Sequence, residues 1–87
     1  MSGVPERDVM TGIRACMQSA LKLSDADAAA ISITTTPDQL RGWTSMAHLE
    51  LVLALERQFG LMFDADEIAE LASVKAIVGA LEKERAN

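Results

Sequence analysis

Apolar residues recur along most of this chain at the three- and four-residue spacing of a helix that faces a core. Val9, Ile13, Cys16, Met17, Ala20 and Leu21 share one such face, while Arg7, Asp8, Arg14 and Gln18 fall elsewhere. This division predicts an amphipathic helix over 6–22. Pro5 sits at its first turn, where a missing N–H costs nothing, and residues 1–4 are expected to form a frayed tail. A second helix is predicted over 45–59. Met46, Leu49, Val52, Leu53, Leu55 and Phe59 form its broad inward stripe, Glu50, Arg57 and Gln58 look outward, and Gly60 ends it. Asp64 followed three residues later by Glu67 is a capping box, opening a short helix that carries Ile68 and Leu71. Ser73 then caps a last helix whose Val74, Ile77, Val78 and Leu81 repeat at helical spacing. Lys83 and Arg85 lie near its end, where positive charge complements the helix dipole.

Residues 23–43 form a long connection. Ser24-Asp25-Ala26-Asp27 carries capping chemistry, so a short helical turn is expected through 28–30. Ile31 and Ile33 alternate with Ser32 and Thr34, but a lone strand has no ladder to join. Both isoleucines are therefore expected to plug the loop onto the core. Thr34-Thr35-Thr36-Pro37-Asp38 reads as extended chain entering a turn. The expected fold is an all-α antiparallel four-helix bundle: three longer helices, one short one, and a long loop between the first two long helices. A connection of this length inside a small domain usually has a functional role.

Composition narrows the function. The chain has 87 residues, room for a single domain over 1–87. A chain this short buries only about 60–65% of its unfolded surface, so modest stability is expected. With 49% hydrophobic residues, one Trp, two Phe and no Tyr, the core is expected to be aliphatic. The net charge of −5 repels phosphates, which excludes a nucleic-acid surface, and suits partners with basic patches. Cys16 is the only cysteine. It allows neither an internal disulfide framework nor a multi-cysteine metal site and reads as a small core residue. No signal-peptide pattern and no apolar run long enough to cross a bilayer is visible. A cytoplasmic monomer, not bound to membrane, is expected.

Catalytic constellations are lacking. His48 is the only histidine. A nucleophile relay would need it to reach Ser45 from three residues further along the same helix, with Glu50 or Asp38 to orient it and no oxyanion hole in sight. One histidine and scattered acids do not make a metal site, and Gly42 and Gly60 stand too far apart for a phosphate loop. The chain reads as a non-enzyme. What remains is Gly42-Trp43-Thr44-Ser45-Met46, a tight turn that delivers a hydroxyl to the start of an apolar helix. Two readings stay open on local chemistry: Thr44 or Ser45 simply caps the helix, or Ser45 presents its hydroxyl for another enzyme to modify.

The stretch from Leu40-Arg41-Gly42-Trp43-Thr44-Ser45-Met46 through Leu55-Glu56-Arg57-Gln58-Phe59-Gly60 resembles the attachment region of acyl carrier proteins and peptidyl carrier domains. The order of the remaining elements follows the same family. The resemblance implies that Ser45 carries 4′-phosphopantetheine transferred from coenzyme A, with an acyl or aminoacyl group held as a thioester on the arm. It implies that a phosphopantetheinyl transferase loads the chain. Acyl- or aminoacyl-loading ligases and synthase or transferase enzymes with basic docking patches would then use it, in a fatty-acid-like or specialised pathway. By position, Glu50 and Glu56 match acidic docking residues and Met46 the apolar residue that contacts partners. Leu49, Leu53 and Ile68 match positions lining an acyl-holding interior. Thr44 stands where the family has aspartate, and Ala47 and Arg57 stand where many fatty-acid carriers have acids. The rival expectation is an unmodified helical interaction module of the same fold.

Overall fold

The computed structural model describes residues 6–86, with side chains over 8–83. The expectations for residues 1–4, for Pro5 and for the side chains of Arg7 and Arg85 lie outside that description. Five α-helices follow in order: α1 (Glu6–Leu21), α2 (Asp25–Ala29), α3 (Ser45–Phe59), α4 (Ala65–Glu70) and α5 (Val74–Ala86). A single 3-10 turn, Pro37–Gln39, interrupts the long connection. The expected short turn after α1 closes into a helix of its own, so two short helices accompany the three long ones.

Local side-chain chemistry sets the boundaries. Ser24 Oγ accepts from the Asp27 N–H at 3.1 Å and starts α2. Thr44 Oγ1 accepts from the Ala47 N–H at 3.1 Å and starts α3. Asp64 and Glu67 exchange reciprocal bonds of 2.8 and 3.0 Å, the capping box read from the sequence. Ser73 Oγ accepts from Ala76 N–H at 3.1 Å to open α5. Gly60 closes α3 in the left-handed conformation, φ 66°, which it adopts without Cβ strain.

Packing centres on α1, which lies against α2, α3 and α5. Ile13, Met17, Leu51, Leu55, Leu71, Ile77 and Leu81 are fully buried. Trp43 and Phe63 join this aliphatic core. The Phe59 ring lies over Gly12 so closely that a Cβ there would stand 2.6 Å from Cζ. Cys16 is buried among the apolar side chains as expected, and burial raises its thiol pKa.

Two expectations about side-chain direction are corrected. Ile31 is a buried plug, fixed by Arg14 Nε–H donating to its carbonyl at 2.8 Å. Ile33 is 38% exposed. A turn closed by Thr35 N–H to Ser32 O carries it out at the tip, and Thr35 is buried instead, its Oγ1 accepting from Ser32 N–H. Thr35 O in turn accepts from Val74 N–H at 3.1 Å, tying the loop to the start of α5.

The second correction concerns α3. Met46, Leu49 and Leu53 are 74%, 57% and 54% exposed, whereas Ala47, Leu51, Val52 and Leu55 are buried. At 3.6 residues per turn, the triplet Met46, Leu49, Leu53 lies nearly opposite the triplet Ala47, Leu51, Leu55. The helix is apolar on two faces and packs with the second.

Candidate functional site

The turn before α3 is tightly specified. Trp43 N–H donates to Leu40 O and Thr44 N–H to Gly42 O. Thr44 then adopts extended backbone and caps the helix with its hydroxyl. The capping role therefore falls to Thr44, which leaves Ser45, the first helical residue, exposed. Among the described residues no hydrogen bond engages the Ser45 hydroxyl.

Beside Ser45 lies a cleft of about 430 Å³, walled by Trp43 and Pro37 from the connection, His48 and Leu49 from α3, and Ile68 from α4. Most of the lining is apolar, and no charged side chain takes part in it. Ile68 is half-buried and lines this cleft. Leu49 reaches the cleft only from the surface, and Leu53 stays outside it. Neither leucine lines an enclosed interior.

His48 is not paired with Ser45. Its Nδ1 accepts from Trp43 Nε1–H at 3.0 Å, and its Nε2 lies 3.2 Å from the carbonyl of Ile68. A ring nitrogen that accepts from indole is unprotonated, so Nε2 carries the proton and donates. The Trp43 and His48 rings stack with centroids 6.1 Å apart and planes inclined by 24°. Both imidazole nitrogens are thus committed away from the serine, and the relay considered from sequence spacing does not form.

The three candidate docking residues separate. Met46 and Glu50 are exposed on neighbouring positions of the outward face. Glu56 is half-buried, and its Oε2 accepts from Phe63 N–H at 2.9 Å, bracing the connection between α3 and α4. No group of three potential metal ligands occurs among the described residues.

The site suits a phosphate ester. A group esterified to Ser45 would lie beside the unpaired N–H groups and positive dipole end of a 15-residue helix. The first turn of α3 holds no acid to repel it. The Trp43–His48 pairing was missed in the sequence reading. Its signal was available: a Trp that is buried beside a helix start needs an acceptor for its N–H, and His48 is the nearest imidazole along the chain.

A family model described as phosphopantetheine attachment site matches residues 11–81. A comparison with curated proteins found no match.

Proposed function

The chain belongs to the phosphopantetheine-attachment-site family, and on that premise we propose that it is an acyl carrier whose arm is attached to Ser45. Members of the family carry covalently bound 4′-phosphopantetheine. Carrier domains are generally non-catalytic and interact with phosphopantetheinyl transferases and with modifying and synthetic enzymes. The observation that carries the assignment is the exposed, unengaged Ser45 hydroxyl at the first residue of α3, inside the matched region.

When bound, the arm supplies a thiol that holds the acyl group as a thioester. The chain's own residues present and shelter. Thr44 fixes the start of α3 so that Ser45 projects into solvent. The helix N-terminus stabilises the phosphate. The cleft lining favours an uncharged, apolar acyl group over an aminoacyl one. Thr44 and His48 already spend their polar atoms on capping and on Trp43 and Ile68, and an ammonium entering an apolar cleft would lose hydration without a partner.

Partners are expected on the outward face of α3. Glu50 supplies charge for basic patches on a transferase, a loading ligase and a synthase in a fatty-acid-like or specialised pathway, and Met46, Leu49 and Leu53 supply apolar area to bury. No helix among the described residues is long and apolar enough to cross a membrane.

The test is co-expression with a broad-specificity phosphopantetheinyl transferase, followed by intact-mass measurement. The expected result is one added phosphopantetheine per chain. Thr44, standing where the family has aspartate, favours one other reading, an interaction module that keeps the fold without the arm. Complete absence of the added mass would select that reading.

A further inference from the structure

We propose that His48 is a positioning residue, whose imidazole fixes the walls of the cleft beside Ser45 by holding Trp43 and α4 against α3. The proposal rests on the reading of Ser45 as the attachment residue and of the cleft as the shelter of its acyl group.

Three separate elements form the cleft, and His48 bonds to the other two from the third. On one side it accepts from the indole of Trp43, which sits two residues before Ser45 and is otherwise buried in the core. On the other it donates to the carbonyl of Ile68, near the end of α4. Carbonyls in the last turn of a helix lack intrahelical partners, so this donor meets a real need. Among the described residues, the one other N–H on that carbonyl is Leu71's, at 3.2 Å. α4 spans six residues, too few to hold its shape by its own ladder. The stacking of His48 on Trp43 adds a directional restraint.

Both tethers act on side chains or backbone that line the cleft. Loss of the imidazole would release the indole from one wall and α4 from the other. The cleft would then widen beside the attachment point, and water would reach a thioester sheltered there. A glutamine can accept and donate but cannot stack, so it should restore part of the effect.

The experiment uses the full chain as wild type, His48→Ala, His48→Gln and Trp43→Phe. In the form without the arm, NMR reads solvent exchange of the Trp43 indole N–H. It should be slow in wild type, fast in His48→Ala and intermediate in His48→Gln. Each protein is then loaded from butyryl- and hexanoyl-coenzyme A by a promiscuous transferase, and neutral hydroxylamine is added to release the acyl hydroxamate and the free thiol. Release should be about three- to tenfold faster in His48→Ala than in wild type, the size expected for losing one or two net hydrogen bonds. His48→Gln should fall between, and Trp43→Phe, which keeps an aromatic ring but loses the donor and the five-membered ring of the indole, should also be faster than wild type. If His48→Ala fails to fold by circular dichroism, the other two variants carry the comparison. Equal release rates in wild type and folded variants, or equal indole exchange, would overturn the positioning role alone. Failure of wild type to gain the acyl-phosphopantetheine mass would instead overturn the carrier reading, and the proposal with it.

Discussion

Among the described residues, Gly60 and Lys22 adopt the left-handed backbone conformation, φ 66° and 57°. Each follows a long helix, and each closes it with the bond of the following residue to a carbonyl five back: Leu61 N–H to Glu56 O, and Leu23 N–H to Gln18 O. Gly60 adopts the conformation freely, whereas Lys22 bears the Cβ penalty. Lys22→Gly should therefore stabilise the fold by about 0.5–1 kcal/mol, and Gly60→Ala should destabilise it by about 1–2 kcal/mol. Urea denaturation of the two variants checks both signs. Glu56 offers a second residue-scale test. Glu56→Ala, which leaves Phe63 N–H unpaired, should cost about 0.5–1.5 kcal/mol. Glu56→Gln keeps an acceptor and should leave the salt dependence of transferase association nearly unchanged, whereas Glu50→Lys should slow association at low salt. Stopped-flow binding across a salt series separates the two acids. From sequence alone both looked like docking residues, because charge type is legible in a sequence and the backbone partner of a carboxylate is not.

At the scale of elements, α3 shows what a hydrophobic pattern can and cannot convey. Its limits were legible, since Thr44 and Ser45 mark a start and Gly60 a stop, and the structure places it at Ser45–Phe59. Its rotation was not, because apolar side chains on two opposite faces satisfy the helical period equally well. Leu51 and Leu53 therefore make a discriminating pair. Leu51→Ala removes a fully buried side chain and should cost about 2–5 kcal/mol. Leu53→Ala acts on an exposed one and should stay within about 0.5 kcal/mol. Thermal or urea unfolding measures both. The reverse order, with Leu53→Ala the costlier of the two, would mean that the helix packs with the other face. The long connection was legible as a loop pinned to the core, and Ile31 as one pin. Thr35 was not, because its burial depends on bonds to Ser32 and Val74 that only the folded chain brings together.

For the molecule as a whole, the radius of gyration of 12.0 Å equals the roughly 12 Å expected of a folded chain this long. The 23–43 connection is thus part of the packed body. The all-α class and the position of Ser45 at the start of α3 were legible because caps, periodicity and the turn before α3 agree. The Trp43–His48–Ile68 bridge was not, since it joins residues from three elements. Burial of Cys16 has a consequence for stability. Its thiol pKa is raised in the folded state by desolvation, so the unfolded chain loses that proton first. Stability should be intact below the unfolded thiol value, about 8.5, and fall as pH rises from there through the folded value. Urea denaturation from pH 7 to 10 should show a steeper alkaline loss in wild type than in Cys16→Ala, although Cys16→Ala starts from a lower value. The most direct measurement on the whole molecule is peptide-level mass mapping after reaction with coenzyme A and a promiscuous transferase, run beside Ser45→Ala. The arm should appear on the peptide containing Ser45, fragment to that residue, and vanish in Ser45→Ala. An arm found on Thr44 or Ser73, or one that persists in Ser45→Ala, would contradict the assignment of Ser45 as the attachment residue.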